Sequence, residues 1–393
     1  MPLHFRPYLS GLLVALALLA GCSTAGSPAK AHQPEAVMPR PGGYIPEQNR
    51  TLPAQRETWS VGEEQVDVTL LLPEGNAESP LLLYLPGLGE TADAGAAWRR
   101  AWAQAGYAVV AVQPGAFGPA VWQSPQARAG DFHGVAKDAF SPPRFAARLA
   151  VVRGVLDELQ RRKSKGGYPH IDLTRYAVAG FDLGAQTGMA LAGQQIEGIA
   201  TPSLPATLKA IIALSPYADF SGMSAAPLFS SVRLPVLSIT SLEDTDQYGL
   251  VTSAAVRRAP FQYMPPGNKY LLVLSGANHA LLSGSEALIP GETAGTPTPH
   301  NNQQSQDGRS DKRSGGMGGS GGRRSRSGEP GTGRPVQPFA INTSATWSEQ
   351  GRNIAGVTTA YLDAVVKNDP VAWEWLAKDA RRWLGDSAQL SAK

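Results

Sequence analysis

The feature that most constrains the fold of this chain is the stretch Gly180-Phe181-Asp182-Leu183-Gly184, which connects an apolar run to a segment of small residues. Residues 176–179 before it have the composition of a buried strand, and residues 185–193 after it favour a closely packed helix. Glycines on both sides of a tight turn let a strand and a helix approach each other. Such a turn lifts one side chain above the carboxyl edge of a sheet. In this sequence that side chain belongs to Asp182.

Eight short runs in the sequence have the pattern of β-strands. Two of them alternate apolar and polar residues, as half-buried antiparallel strands do, and six are continuous apolar runs that fit strands buried on both faces. The eight runs are residues 59–61, 66–72, 81–85, 107–112, 176–179, 208–214, 235–240 and 270–274. Helical patterns lie between the buried runs, the clearest at 144–162. The sequence therefore predicts an α/β fold: an eight-stranded, mostly parallel sheet with helices on both faces.

Composition gives the domain plan and excludes one class of partner. The chain has 393 residues, of which 42% are hydrophobic, so it can bury a large core. The formal net charge of +3 is small for this length and gives no electrostatic reason to expect nucleic acid. We expect a signal segment at 1–22, a flexible tether at 23–55, the main domain at 56–290, a disordered insertion at 291–337, and helices at 338–393 that close the main domain.

The first residues have the features of a secretory signal. Arg6 supplies a positive charge, residues 9–19 form an apolar segment too short to span a bilayer, and Leu19-Ala20-Gly21-Cys22 ends it with small residues. This ending resembles a bacterial lipobox, which implies cleavage before Cys22 and diacylation of its thiol; an ordinary secretory signal is the alternative. Ser23 after the cysteine implies the outer membrane. We therefore expect a lipid-anchored protein of the bacterial cell envelope, facing the periplasm or the cell surface.

Two further segments stand out by composition. Residues 114–143 are rich in proline and glycine around Phe117 and Trp122, and we expect a long loop over the sheet that serves as a lid or binding loop. Residues 291–337 contain hardly any aliphatic side chain, so they cannot offset their chain entropy by burial. The run Arg323-Arg324-Ser325-Arg326 suggests phosphate or polyanion binding, against the simpler interpretation of a solvated insertion.

Polar residues that can do chemistry follow three of the predicted strands. Asp182 follows the fifth strand, an acidic cluster follows the seventh and His279 follows the eighth, which places all three at one edge of the sheet. We predict that Asp182 is the nucleophile or its remnant, that His279 is the base, and that Asp244 orients the imidazole. Three other acids remain open for that last role: Glu243, Asp246 and, after the sixth strand, Asp219.

The turn Pro86-Gly87-Leu88-Gly89 after the third strand offers backbone N–H groups without bulky side chains in the way. The N–H of Leu88 and that of Leu183, the residue after Asp182, would together form an oxyanion hole. A plain strand-ending turn is the alternative interpretation of this tetrapeptide. Only its place after the third strand favours the functional one.

With these residues in view, the stretch from about residue 81 to 283 resembles α/β-hydrolases, most closely dienelactone hydrolases, platelet-activating-factor acetylhydrolases and cutinase-like polyester hydrolases. Pro86-Gly87-Leu88-Gly89 is similar to their His-Gly-Leu-Gly turn, and the loops of Asp244 and His279 are similar in position and length. The resemblance implies hydrolysis of carboxylic esters through a Ser or Cys nucleophile. This chain departs from it, because Asp182 replaces the nucleophile and Pro86 replaces the histidine.

An aspartate at this position also resembles the nucleophile of haloalkane dehalogenases and epoxide hydrolases, which pass through an aspartyl alkyl ester. Haloalkane dehalogenases usually carry Trp after the nucleophile, where this chain has Leu183. Epoxide hydrolases usually carry a His-Gly-x-Pro turn, where this chain has Pro86-Gly87-Leu88-Gly89. Trp122 or Tyr217 would stabilise a leaving group. The sequence thus leaves three hypotheses: a hydrolase of ester-type, carbon–halogen or epoxide bonds, an inactive binding protein in which Asp182 and His279 form a structural ion pair, and an interaction protein that works through its insertion.

No cofactor is expected from the sequence. The remaining histidines show no ligand spacing; they are His4, His32, His133, His170 and His300. We expect a monomer that acts on a small-molecule substrate, contacts the membrane through its N-terminal lipid and does not bind nucleic acid.

Overall fold

The computed structural model describes residues 41–196, 198–199, 207–216, 225–284, 288–289 and 346–393. Within these ranges, nine strands form one mixed, mostly parallel sheet and two short strands form a separate pair. The strands of the main sheet are β1 (Gln55–Val61), β2 (Glu64–Leu71), β3 (Ser79–Leu85), β4 (Ala108–Pro114), β5 (Ile171–Phe181), β6 (Leu208–Leu214), β7 (Val236–Ser241), β8 (Lys269–Leu274) and β11 (Ala388–Ala392). The separate pair consists of β9 (Leu288–Ile289) and β10 (Thr346–Trp347).

The order of strands in the main sheet is β1-β2-β4-β3-β5-β6-β7-β8-β11. Strands β3 to β8 pair in parallel, whereas β1 and β2 extend one edge antiparallel and β11 pairs antiparallel with β8 at the other. All eight predicted strands are present, and the prediction missed β11. Its short sequence alternates small, polar and apolar residues, so the strand forms because the open edge of β8 receives it and because Leu390 is buried there.

Helices cover both faces of the sheet. They are α1 (Ala96–Gln104), α2 (Pro125–Arg128), α3 (Phe132–Ala139), α4 (Pro142–Ser164), α5 (Leu183–Leu191), α6 (Ala225–Phe229), α7 (Ala259–Tyr263), α8 (His279–Leu282), α9 (Glu349–Val366), α10 (Pro370–Lys378) and α11 (Ala380–Leu384). One apolar core joins the sheet to α1 and α9–α11, and a second joins the opposite face to α4 and α5. Among the described helices, none combines the length and the hydropathy that crossing a bilayer requires.

The register of the parallel strands brings the predicted site residues to one edge. Gly180 of β5 pairs with Leu85 of β3 on one side and with Ala213 of β6 on the other. The chain order reverses at β3, since β4 lies on one side of it and β5 on the other. Ligands of open α/β sheets bind outside the carboxyl ends of strands at such a reversal. The turn after β3 and Asp182 after β5 therefore lie at the position where a ligand site is expected.

The segment predicted as a long loop, residues 114–143, is instead a series of short helical turns. Two 3₁₀ helices, Gly115–Phe117 and Pro119–Gln123, precede α2 and α3. The side chains of Ser124 and Asp131 cap α2 and α3 by accepting bonds from backbone N–H groups. Frequent proline and glycine stop each turn early, which is why the sequence has the composition of a loop.

Part of the predicted tether is fixed to the folded domain. The hydroxyl of Tyr44 donates to Asp363 of α9 at 2.8 Å, and the indole N–H of Trp375 donates to the carbonyl of Gly42 at 2.8 Å. The tether therefore does not extend to residue 55 as predicted. Backbone bonds hold it as well, since the N–H of Asn49 donates to the carbonyl of Gln104 at 2.7 Å and that of Leu52 to the carbonyl of Leu72 at 2.8 Å. Residues 23–40 lie outside the described residues.

The two ends of the predicted insertion meet at the β9–β10 pair, where Leu288 pairs with Trp347. The indole of Trp347 stacks on that of Trp98 in α1, with 5.8 Å between ring centroids. Residues 290–345 lie outside the described residues, and so does the basic run within them. The chain therefore leaves and re-enters the domain at one place, which fits an insertion within one domain.

Candidate active site

Asp182 occupies a strained turn between β5 and α5. Its backbone angles are φ 49° and ψ −106°, in a region that residues other than glycine rarely adopt. Its N–H donates to the carbonyl of Leu214 at 3.0 Å, and its carbonyl accepts from the N–H of Gln186 at 3.0 Å. Strain of this kind costs about 1–3 kcal/mol and persists only where the surrounding structure imposes it. The sharp turn predicted from the sequence is therefore present, with Asp182 at its apex.

The glycines on either side of Asp182 are required by close packing. A Cβ on Gly184 would lie 1.9 Å from the carbonyl oxygen of Leu85 at the end of β3, and a Cβ on Gly180 would lie 2.3 Å from the backbone of Gly184. Helix α5 thus starts directly against the ends of β3 and β5. This packing holds the Asp182 side chain at the carboxyl edge of the sheet.

The carboxylate of Asp182 is buried without a hydrogen-bond partner in the described part of the chain. The residue is 6% exposed, and its side chain does not cap α5. Burial raises the pKa of Asp182 above its ordinary value, and nearby carboxylates raise it further. The positive charges of His279 and Arg257 oppose this shift without cancelling it. The site therefore contains a carboxyl whose charge is poorly stabilised.

His279 and Asp244 form a hydrogen-bonded pair next to this turn. The distance from His279 Nδ1 to Asp244 Oδ1 is 2.8 Å. Because the carboxylate can only accept, we assign the proton to Nδ1, which leaves Nε2 as an acceptor. The ring of His279 packs on that of Phe181, with 4.8 Å between centroids, and Asn278 caps the short helix α8 that begins at His279. The imidazole is thus oriented from two sides.

Asp244 lies in a shell of donors that stabilises its charge. Thr240 Oγ1 donates to Oδ2 at 2.8 Å, Ser215 Oγ lies 2.6 Å from Oδ1, and Arg257 Nε lies 3.2 Å from Oδ1. Burial alone would raise the pKa of this carboxyl. The hydrogen bond from His279 and the charge of Arg257 outweigh burial, so the pKa of Asp244 lies below its ordinary value.

Ser215 lies near the same ring nitrogen of His279 as Asp244 does, at 2.9 Å from Nδ1. It follows β6 with φ 56° and is fully buried. A nucleophilic serine would have to reach the other nitrogen, Nε2, and a substrate. Ser215 therefore supports the carboxylate of Asp244 and is not a nucleophile.

The other acids considered for the orienting role contribute differently. The carboxylate of Asp246 accepts from the N–H groups of Tyr248 and Leu250 at 2.8 and 3.1 Å, which fixes the loop after β7. Glu243 is exposed. Asp219 and Tyr217 lie outside the described residues. Among the acids that the structure describes, Asp244 is the one bonded to His279, and its catalytic role stays a prediction.

The two N–H groups predicted as oxyanion donors lie in the turn after β3, at Leu88, and at the start of α5, at Leu183. The backbone N–H of Leu88 and that of Leu183 have no hydrogen-bond acceptor among the described residues, and the two side chains belong to one apolar cluster. The amide of Gln113 fixes the turn, since its Nε2 lies 3.0 Å from the carbonyl of Gly87 and 2.9 Å from that of Glu90. Both N–H groups thus lack an acceptor in the described part of the chain, and their role as an oxyanion hole stays a prediction.

Glu90, at the end of this turn, is a second carboxyl of the site that the sequence analysis missed. Its Oε2 accepts from the N–H of Gly87 at 2.7 Å. Burial, and then the charge of Asp182, raises the pKa of Glu90 to about 7, although the Gly87 N–H and the charge of His279 oppose the shift. One feature of the sequence could have indicated this residue, because Glu90 is a carboxylate that directly follows the glycine turn.

An aromatic pocket of about 290 Å³ is lined by Trp122, Phe132, Gln247 and Tyr248, and Trp122 connects it to the turn after β3. The rings of Trp122 and Tyr248 stack with 5.1 Å between centroids, and the indole of Trp122 lies directly on Gly89. Burial raises the pKa of the Tyr248 phenol, and the charges of Asp182 and Glu90 raise it further, so the phenol lies within electrostatic reach of both. The 114–143 segment therefore contacts the turn after β3 through Trp122, and its role as a lid or binding loop stays a prediction.

A buried guanidinium lies behind α5. Arg148 of α4 donates to Gln186 Oε1 at 2.6 Å and to Thr187 Oγ1 at 3.1 Å. Burial lowers the pKa of Arg148 to about 9, and the negative charge of Asp182 limits that shift. Arg148 therefore ties α5 to α4 and places a positive charge within electrostatic reach of Asp182.

The sequence matches no protein-family model, and no curated protein sequence matches it. Across the described ranges, no group of three or more His, Cys, Asp or Glu side chains is arranged to hold a metal ion. Cys22 lies outside the described residues.

Proposed function

We propose that this chain is an α/β-hydrolase in which the carboxylate of Asp182 attacks a saturated carbon. The observation that carries the proposal is the strained backbone at Asp182, which holds a buried carboxylate without a hydrogen bond in the described part of the chain. The order of strands supports the α/β-hydrolase arrangement, as does the chain order of Asp182, Asp244 and His279.

The chemistry of a carboxylate decides between the substrate classes. Attack on an acyl carbon would have to make an anhydride, which is higher in energy than the ester, and the tetrahedral intermediate would expel the carboxylate of Asp182 rather than the more basic alkoxide. Attack on a saturated carbon makes an alkyl ester, which an activated water then hydrolyses. The ester-type substrates that the sequence resemblance implied need a hydroxyl or thiol nucleophile, and Ser215 is buried on the wrong side of His279 for that role.

In the first step, an oxygen of Asp182 forms a bond to the substrate carbon while the bond to the leaving group breaks. Burial removes water from this carboxylate, so little hydrogen bonding has to be lost before attack. In the second step, Nε2 of His279 takes a proton from water, and the hydroxide attacks Cγ of the Asp182 ester. The N–H groups of Leu88 and Leu183 stabilise the resulting oxyanion, and Asp244 stabilises the imidazolium.

The test of this function is intact-protein mass spectrometry of the His279→Gln variant after incubation with aryl esters, epoxides and haloalkanes. Without the base, the alkyl ester should accumulate to one adduct per protein, and peptide mapping should place it on Asp182. The double variant with Asp182→Asn should form no adduct. Absence of an adduct from every class, in a protein with native circular dichroism, would contradict the proposal.

The second hypothesis, an inactive binding protein, required a structural ion pair between Asp182 and His279. Among the described residues, no salt bridge joins these two side chains. Nδ1 of His279 is paired with Asp244 instead. A buried carboxylate without a partner destabilises a fold, so folding alone gives no reason for it. The geometry therefore supports an enzyme over a binding protein.

We also propose that Cys22 carries the lipid that anchors the protein to the outer membrane. The support is the sequence Leu19-Ala20-Gly21-Cys22 followed by Ser23. In a bacterial host, labelled palmitate should be incorporated into the full chain and not into a Cys22→Ser variant. Equal labelling of both chains, or of neither, would contradict the anchor.

A further inference from the structure

Glu90 is held rigidly at the carboxyl edge of the sheet. Its Oε2 accepts the N–H of Gly87 at 2.7 Å, and its own carbonyl accepts from the Gln113 amide at 2.9 Å. A Cβ placed on Gly87 would lie 3.2 Å from Glu90 Oε2 and 2.9 Å from the ring of Phe181. The carboxyl thus lies on the side of Gly87 where Phe181 packs, and the same Phe181 packs on His279.

The second oxygen of this carboxyl is available. Glu90 Oε1 accepts no hydrogen bond within the described residues, whereas Oε2 is occupied. The titratable groups that act on Glu90, or are acted on by it, are Asp182, His279, Tyr84 and Tyr248. Asp182 is buried and Glu90 is half-buried. Two carboxyls within electrostatic reach of each other ionise unequally, so one of them keeps its proton to a higher pH.

We propose that Glu90 is the catalytic acid that protonates the oxygen leaving group, and that the substrate is therefore an epoxide. The inference rests on the proposed function of Asp182. A halide leaves as a stable anion and needs no proton, whereas an alkoxide released from carbon is strongly basic. A protonated carboxyl beside the nucleophile is useful for the second reaction only.

The protons balance over the cycle. Asp182 forms a C–O bond to an epoxide carbon, the ring C–O bond breaks, and the alkoxide takes the proton of Glu90. His279 then removes a proton from water, and the hydroxide converts the ester into the carboxylic acid of Asp182 and an alkoxide. The imidazolium protonates that alkoxide to give the diol, and the acid proton of Asp182 returns to Glu90. One epoxide and one water become one diol.

The aromatic pocket defines the rest of the substrate. Its lining is three aromatic rings and the amide of Gln247, so it fits a flat apolar group attached to the epoxide. Styrene oxide combines the two features in one molecule. Its partner probe, 2-phenylethyl bromide, keeps the aryl group and replaces the oxygen leaving group by a halide.

The experiment compares the rates at which the two probes alkylate Asp182 in the His279→Gln background, measured by intact mass. Adding Glu90→Gln should reduce the ratio of the styrene oxide rate to the bromide rate by about 100-fold, because glutamine still accepts the Gly87 N–H and has no acidic proton. Adding Glu243→Gln, an exposed carboxyl on the same edge, should change the ratio by less than about twofold. The bromide adduct shows that each variant is folded.

A second measurement needs no change at Glu90. The styrene oxide rate should fall as pH rises through the pKa of Glu90, while the bromide rate should not fall there. An unchanged ratio in Glu90→Gln, or adducts from the bromide alone, would overturn the role of Glu90 and the epoxide class while the Asp182 mechanism stands. Failure of both probes, with adducts on Asp182 from another substrate of the panel, would overturn this inference alone. Absence of an adduct from every class would overturn the Asp182 mechanism and this inference with it.

Discussion

The two halves of the candidate site treat their carboxyls in opposite ways. On the His279 side, Asp244 receives hydrogen bonds from Thr240, Ser215 and His279 and lies beside Arg257, and its pKa is lowered. On the β3–β5 side, Asp182 has no hydrogen bond in the described ranges and Glu90 has one, and the pKa of each is raised.

Asp182 and Asp244 are both buried, so burial alone does not separate the two halves. The difference lies in the donors: the ends of β6 and β7 and the loop that follows supply hydroxyls and a guanidinium, whereas the turns after β3 and β5 supply mainly backbone. A carboxylate that is fully bonded is a stable charge and a poor nucleophile. This difference is why we propose that Asp244 fixes His279 and that Asp182 and Glu90 carry the chemistry.

The largest effect on the reaction rate is expected from a substitution of Asp244, the stabilised carboxylate on the His279 side. Asp244→Asn should slow hydrolysis of the alkyl ester by roughly 10³–10⁴-fold, because the imidazole loses its tautomer and its counter-charge. It should also lower the free energy of unfolding by about 3 kcal/mol, since Arg257 becomes a buried charge without a carboxylate. Single-turnover kinetics and urea unfolding measure the two effects. A loss no larger than that of Glu243→Gln would contradict the assignment of Asp244.

The pH dependence of stability should have opposite signs in the two halves. The folded pKa of Glu90 is raised from 4.5 to about 7, so its contribution to stability is fully present below about pH 4.5 and is lost as pH rises through about 7. Glu90→Gln should remove that loss. The free energy of unfolding of the variant, relative to that of the wild type, should therefore be higher at pH 8 than at pH 5 by roughly 1–3 kcal/mol.

The folded pKa of Asp244 is lowered, so its contribution is present above its unfolded value of 3.8 and disappears as pH falls further. Urea unfolding of the wild type and of both variants, from pH 3 to pH 8, tests the two signs together. If the free energy of unfolding of Glu90→Gln followed that of the wild type in parallel from pH 3 to pH 8, the raised pKa of Glu90 in the β3–β5 half would be contradicted.

The smallest effect is expected for the hydroxyl that supports Asp244. Ser215→Ala should reduce turnover by less than about tenfold and stability by about 1 kcal/mol, because Thr240 and His279 still donate to the carboxylate and Arg257 still pairs with it. Steady-state kinetics with the substrate found by adduct formation provide the measurement. A loss above 100-fold would mean that Ser215 takes part in the reaction and that the two halves are not distinct.

The sequence was informative where local pattern and strand order determine the outcome. Eight apolar runs became β1 to β8, and because parallel strands end at one edge, the spacing of Asp182 and His279 along the chain already predicted their proximity. Asp244 could be favoured over its neighbours by its place after β7. These inferences needed no knowledge of side-chain contacts.

The sequence was uninformative where the outcome depends on which group a side chain meets across the fold. Arg257 lies in a 3₁₀ helix after β7 and looks like a surface residue, yet it is fully buried against Asp244. Glu90 follows a glycine turn, where a carboxylate is ordinarily solvated. Its raised pKa arises first from desolvation that depends on the whole fold, and then from the charge of Asp182, more than ninety positions along the chain.

The central claim is that Asp182 forms a bond to the substrate, and isotope transfer from heavy-oxygen water tests it most directly. In a single turnover of excess enzyme, the account predicts product without solvent label and an Asp182-containing peptide that has gained one heavy oxygen. The label enters Asp182 because hydroxide attacks Cγ of the ester. Label in the product with an unlabelled Asp182 would mean that water attacks the substrate directly, and it would contradict the nucleophilic role of this residue.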